Sequence, residues 1–306
     1  MKMYADFSIV HSLVREFSYL PFFLSHALSS TDPLEKMKSI VSYSIASKHL
    51  LNSHKAALEP TIGETMHLII SDLSLYTECI SSSPLIILFF GIGNNYNIQG
   101  YFEPVINVGP LTATINRGLH LTIKLNDKIR SVYKMNWPLT ITKGIITGNR
   151  TINYTGFQKI TDTRNKLYSK TFFDIKSKKG IFDKFSPNSK ERFDLLKGFI
   201  TQNKELIEDE SLNAFKSDKI ISYYEGFWTD NLMIEGKTTW TFEMYEPSRL
   251  NSGAQILPSD FTNRVDYINI KLNNLEQAGV EFDKIYQEQK ADNKKRKEFN
   301  SKILKV

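Results

Sequence analysis

A chain of 306 residues, 41% hydrophobic and 12% aromatic, holds material for one large core or two small ones. Its one cysteine, Cys79, excludes an intramolecular disulfide and fits a reducing compartment. The net charge of +6 and pI ≈ 9.1 suit an anionic partner, either a membrane surface or a nucleic acid.

At the N-terminus Ser8, His11, Ser12, Arg15 and Glu16 break any apolar run, so no signal peptide is read there. The pattern from 6 to about 53 is helical: Phe7, Val10, Leu13, Val14 and Phe17 recur at three- and four-residue spacing on one stripe. Periodicity alone makes that stripe an ordinary core-packed helix. Asp32-Pro33 reads as a second helix start, with Leu34, Met37, Ile40 and Val41 on its apolar face.

From 65 to about 245 alternation takes over. Leu119, Leu121, Ile123 and Leu125 point one way, while His120, Thr122 and Lys124 point the other. Further strands are expected over 139–146, 151–157, 167–176, 220–228 and 238–245, with turns at Gly148-Asn149 and Asn165-Lys166. So many successive strands without intervening helices imply a large antiparallel sheet. Residues 183–216 depart from this pattern: Phe193, Leu196, Phe199 and Ile200 have helical spacing, and the segment reads as an insertion or long connection. The longest apolar block, 85–90 with Ile92 beyond it, is far short of the roughly 20 residues of a membrane span. A final helix is expected over 273–304, with Leu275, Ala278, Phe282, Ile285 and Tyr286 on one face. Beyond Lys290 it is crowded with Lys294, Lys295, Arg296, Lys297, Lys302 and Lys305, which form either a solvated helix end or a surface for anionic lipid. With no repeat or low-complexity linker, one domain over 1–306 is the simplest organisation.

Catalytic and metal-binding motifs are missing. The six histidines form no His-Glu-x-x-His pair, and one cysteine builds no zinc cluster, so no cofactor and no metal is expected. Gly91-Ile92-Gly93 lacks the remainder of a phosphate loop, and no Gly-x-Ser-x-Gly elbow occurs. Tyr223, Tyr224, Trp228 and Trp240 lie in alternating strands and read as barrel wall rather than base-stacking platforms, so no nucleic acid is expected.

One stretch is more specific. Glu78-Cys79-Ile80-Ser81-Ser82-Ser83-Pro84-Leu85 resembles the Glu-Gln-Val-Ser-His-His-Pro-Pro signature of the oxysterol-binding-protein-related lipid transfer family. Leu58-Glu59-Pro60-Thr61-Ile62-Gly63-Glu64-Thr65 resembles that family's Phe-Asn-Pro-x-x-Gly-Glu-Thr. Then Ile98-Gln99-Gly100-Tyr101, Trp137-Pro138, Lys179-Gly180-Ile181-Phe182, Leu257-Pro258-Ser259-Asp260 and Arg264 with Asp266 follow in the family's order.

The resemblance implies a β-dominated α+β fold: a large antiparallel, near-complete β-barrel enclosing a lipid tunnel, with N-terminal lid and helices and a C-terminal helix. It makes residues 1–30 a lid segment, with Phe7, Val10, Leu13, Val14 and Phe17 against the lipid, and 273–306 the C-terminal helix and basic tail. It implies a non-enzymatic, cytoplasmic, monomeric carrier of a sterol or other membrane lipid, peripherally associated with anionic intracellular membranes.

In the family two histidines grip an inositol-lipid phosphate; Ser82 and Ser83 stand in their places here. Serine donates a hydrogen bond but brings no charge. Thr61, Ile62 and Gly63 offer nearby amides. On the C-terminal helix, gapless alignment puts Phe282, Tyr286 and Lys290 at the family's basic and acidic positions, and only Lys290 keeps a charge. A competing register uses Lys284, Glu288 and Asp292. Under either register phosphoinositide binding is expected to be weak or absent. A rival expectation is a degenerate member that serves as a protein scaffold or sensor and moves no lipid.

Overall fold

The computed structural model describes residues 4–50, 56–144, 151–175, 194–253 and 256–303. The expected turn at 148–149 and Lys179-Gly180-Ile181-Phe182 lie outside these.

The N-terminal zone begins with a strand, not a helix. Residues β1 (Tyr4–Ser8) pair in parallel with β2 (Ala56–Leu58). Ser8 is extended and its hydroxyl accepts from the His11 amide, capping α1 (Ile9–Arg15). A 3₁₀ turn, Glu16–Tyr19, leads into α2 (Leu20–Ser29). The continuous stripe expected from Phe7 to Phe17 is therefore broken at both ends, because Ser8 and Pro21 each punctuate the helical pattern. The next helix, α3 (Pro33–His49), starts where expected: Asp32 caps it by accepting from the Leu34 amide at 2.9 Å. Met37, Ile40, Val41 and Ile45 of α3 are fully buried against the sheet and α2.

Among the described residues sixteen strands then form one sheet. They are β3 (Thr65–Ile70), β4 (Leu73–Ser82), β5 (Leu85–Gly93), β6 (Tyr96–Phe102), β7 (Val105–Val108), β8 (Thr112–Asn116), β9 (Leu119–Leu125), β10 (Val132–Asn136), β11 (Leu139–Lys143), β12 (Thr151–Asp162), β13 (Leu167–Phe173), β14 (Leu195–Thr201), β15 (Ile220–Phe227), β16 (Asn231–Ile234), β17 (Lys237–Thr241) and β18 (Leu250–Ser252). The main path runs β17-β16-β15-β14-β13-β12-β10-β9-β6-β5-β4-β3-β18, and β7, β8 and β11 branch from β12 as a smaller flap. All its pairings are antiparallel, and its ends, β17 and β18, are not hydrogen-bonded to each other. The barrel is incomplete. Two helices follow, α4 (Val265–Lys271) and α5 (Leu275–Ile303).

The 183–216 reading is corrected in its described part. Residues 195–201 form β14, which lies between β13 and β15 rather than in an insertion. Leu196, Phe199 and Ile200 mimic helical spacing because both faces of this strand are buried. Leu196 and Ile200 join the main core, while Phe199 packs outward under a small cap with Tyr168, Phe172, Ile207 and Ala214. That cap comprises two 3₁₀ turns, Lys204–Ile207 and Leu212–Lys216.

Candidate functional site

The motif-bearing segments meet around β4. The Gly63 amide donates to the Cys79 carbonyl at 2.7 Å, and the Cys79 amide donates to the Glu64 carbonyl at 2.9 Å. Gly63 makes this approach in a left-handed conformation (φ +80) that favours glycine. The Glu64 carboxylate accepts from the Thr61 amide and from the Arg264 guanidinium, at 3.0 and 2.8 Å. Arg264 also donates to the Glu59 carbonyl and forks onto both carboxylate oxygens of Asp266. Burial pushes the Glu64 carboxyl up, opposed by Arg264, and the two carboxylates more than offset burial to hold the guanidinium above its usual range. Three of the motif pieces are thus one buried clamp joining residues 59–65, β4 and the approach to α4. Burial also pushes the Cys79 thiol up to about 12, which suits a structural cysteine.

Beside this clamp lies a cavity of about 920 Å³, in the upper part of the roughly 300–1,000 Å³ range of small-molecule sites. Its apolar wall includes Ile9, Leu85, Phe102, Ile106, Ile115, Ile152 and Tyr154. Its rim is basic: Lys290, Lys294 and Lys297 project from α5, against Glu59 and Glu298. Ser82 and Ser83, at the end of the β4–β5 hairpin, stand at the same opening, and Ser82 Oγ accepts from Asn293 Nδ2 at 2.9 Å.

Of the sequence-predicted residues, Ser82, Ser83, Tyr286 and Lys290 meet at this cavity. Glu78, Ser81, Pro84, Thr61, Ile62, Gly63 and Phe282 are not on its wall, and Phe282 stacks on Tyr286. The Thr61 and Gly63 amides are engaged within the clamp. Lys284, Glu288 and Asp292 are also off the wall, so the gapless register of α5 is the one that faces the opening. Lys294 and Lys297, read from the sequence only as part of the basic tail, also line the cavity, and Asn293 was missed, although helical spacing from Tyr286 and Lys290 reaches all three. In the N-terminal segment Val10, Leu13, Val14 and Phe17 are buried in the main core, whereas Ile9 and Ser12 line the cavity. The side chain of Phe7 lies outside the described set.

Arg117, which lines the cavity, forms an ion pair with the fully buried Glu16 of the 3₁₀ turn after α1. Burial pushes the Glu16 carboxyl up, and Arg117 and Lys48 oppose the rise. Lys48, at the end of α3, is fully buried and donates to the Ser44 carbonyl at 2.6 Å and to Gln158 Oε1 at 2.9 Å. Its ammonium also lies near the rings of Trp137, Tyr154 and Phe173. Burial brings it down to about 7, against the attraction of Glu16. Among the described residues no group of three metal-ligating side chains occurs, and no helix is long and apolar enough to cross a membrane.

An incomplete antiparallel barrel, with an amphiphile-sized cavity under an N-terminal helix and a basic rim, defines a ligand-enclosing β-barrel protein. The chain belongs to the oxysterol-binding protein family, whose model matches residues 2–305. It is 25% identical over 277 residues to oxysterol-binding protein 9 of Dictyostelium discoideum, spanning 89% of this chain and 64% of that relative. The fold is similar to the Osh3 ORD of Saccharomyces cerevisiae solved with PI(4)P (TM-score 0.74, 18% identity, 96% of this chain and 79% of that one). It is likewise similar to the Osh1 ORD domain solved with ergosterol (TM-score 0.75, 15% identity, 97% and 75%). This is a family of binding proteins rather than enzymes.

Proposed function

We propose that this chain takes a sterol or similar apolar lipid from a membrane, encloses it in the cavity under α1, and delivers it to another membrane. The observation that carries this reading is a cavity of about 920 Å³ with an apolar wall and a lysine-bearing rim in an oxysterol-binding protein fold. The structural neighbours solved with PI(4)P, cholesterol and ergosterol give the ligand classes to try. Several hundred Å² of apolar ligand surface, at roughly 25 cal/mol per Å², supplies the binding energy. Residues 1–30 act as the lid, with the Val10, Leu13, Val14 and Phe17 face holding it closed and Ile9 and Ser12 facing the cargo. The carrier works as a cytoplasmic monomer, peripheral to anionic membranes.

Phosphoinositide binding is weakened. A buried phosphate needs paired charges, yet Ser82 and Ser83 are neutral and Ser82 is already bonded to Asn293. Lys290, Lys294 and Lys297 leave residual attraction for an anionic headgroup. Extraction of labelled sterol and of labelled phosphatidylinositol 4-phosphate from liposomes tests both statements. Wild type is expected to extract sterol and little phosphoinositide, and Ser82→His/Ser83→His to gain phosphoinositide extraction by about tenfold, the scale of one charge-assisted hydrogen bond. Tight phosphoinositide extraction by wild type would refute the weakening, and no sterol uptake would refute the sterol cargo. A scaffold without transport is the second reading, favoured by the exposed Tyr76, Leu88, Phe90 and Ile92 on the outer face of β4 and β5.

A further inference from the structure

The flap built from β7 and β8 has a composition unlike its surroundings. From Pro104 to Asn116 no residue is charged. Val105, Ile106, Val108 and Leu111 are 53, 59, 77 and 66% exposed, which leaves four large aliphatics in solvent within seven residues. A soluble surface rarely concentrates apolar side chains this way without a partner. The hairpin is well formed: Val105 to Val108 pair with Asn116 to Ala113, and the Gly109 amide donates to the Thr112 carbonyl at 2.8 Å across the turn. Among the described residues β7 pairs with β8 alone.

Position gives this hairpin its partner. Ile106 and Ile115 are directly opposed across it, and both line the cavity. An apolar path therefore runs from the cavity wall to Val108 and Leu111 at the turn. Lysines stand near both ends of that path: Lys290, Lys294 and Lys297 from α5 line the same cavity, and the exposed Lys143 is paired with Thr112 at the turn end of β8. Uncharged aliphatics at the tip with ammonium groups beside them match the layering of a bilayer surface, acyl chains below anionic headgroups.

We propose that the β7–β8 hairpin inserts Val108 and Leu111 into an anionic membrane and so seats the cavity mouth on the bilayer. The insertion rests on the lipid-carrier reading only for its purpose, since it shortens the cargo's path through water. The hairpin itself is testable without cargo.

Flotation with vesicles of phosphatidylcholine, with and without phosphatidylserine, measures the binding. Wild type is expected to float with the anionic vesicles and to lose binding as salt rises. Val108→Asp/Leu111→Asp is expected to lower vesicle partitioning by at least about tenfold, since each side chain buries a large aliphatic surface. Neither residue touches the core or the cavity wall, so the denaturation midpoint and uptake of a fluorescent sterol from cyclodextrin are expected to stay at wild-type values. In a Leu111→Trp variant the new indole is expected to be quenched by lipids brominated on their acyl chains. Wild-type vesicle binding by the double variant, or an unquenched indole, overturns the proposal. So does a wild type that binds no vesicles, even where sterol uptake from solution upholds the carrier reading. Hairpin-dependent vesicle binding without sterol uptake supports insertion and removes the carrier reading instead.

Discussion

Lys48 sits in a setting far from the usual one for a lysine. An ammonium with no solvent exposure is costly, and three partners only partly offset that cost: the Ser44 carbonyl, Gln158 and the nearby Glu16 carboxylate. Its folded value of about 7 lies below the unfolded value of 10.5. Below pH 7 both states hold the proton, so stability does not depend on it. Above pH 7 the folded chain releases the proton while the unfolded chain keeps it, so stability rises with pH up to the unfolded value. Lys48→Met removes this dependence, together with one of the two cations that hold the Glu16 carboxyl down. The stability of wild type relative to this variant is therefore expected to rise by about 2 kcal/mol between pH 7 and 9. Urea denaturation at several pH values measures it, and a flat difference would mean that Lys48 is not desolvated. None of this was legible in the sequence. Glu16, Lys48 and Arg117 come from a 3₁₀ turn, a helix end and a loop between strands, and no local pattern marks a charge that will be buried by distant elements.

At the scale of elements, legibility follows how many faces are buried. β9 alternates because only one face meets the core, and α3 announces itself through Asp32-Pro33. β14 was misread because its second face is covered by the 3₁₀ cap, so its apolar residues no longer alternate. The clamp around Arg264 shows a different limit. Its residues were visible as motif pieces, but the pieces read as a phosphate site also build the joint between residues 59–65, β4 and α4. Arg264→Met leaves the Glu64 and Asp266 carboxylates buried without their shared cation. The cost is expected to be about 3–5 kcal/mol, the range for breaking one side of a buried pair. A urea midpoint close to wild type would show that the clamp is dispensable and that the Pro-x-x-Gly-Glu piece serves something other than the joint. A lost midpoint with restored stability in Arg264→Lys is not expected, because one ammonium does not reproduce the fork onto Asp266 and the bond to Glu64 together.

For the whole molecule, the question is whether the barrel closes over a cargo or over its own side chains. The interior is divided. The main core packs α1, α2 and α3 against the sheet, while the cavity of about 920 Å³ remains between α1, the flap and α5. A carrier's folded state binds its lipid and its unfolded state does not, so the lipid stabilises the fold by mass action. At free ligand about a hundredfold above its dissociation constant the gain is about 2.7 kcal/mol, and spread over the unfolding entropy of a chain this size it raises the melting temperature by roughly 4 °C. Sterol delivered from cyclodextrin is expected to produce that shift, and a water-soluble short-chain phosphatidylinositol 4-phosphate at the same concentration is expected to produce much less. Salt separates the two further: the sterol shift rests on apolar burial and is expected to be nearly insensitive to it, whereas any phosphoinositide shift rests on the three rim lysines and shrinks as they are screened. Equal shifts from both lipids would place the headgroup firmly on Lys290, Lys294 and Lys297 and make the missing histidines irrelevant. No shift from either would mean that neither lipid occupies the cavity, leaving the scaffold reading to account for the fold.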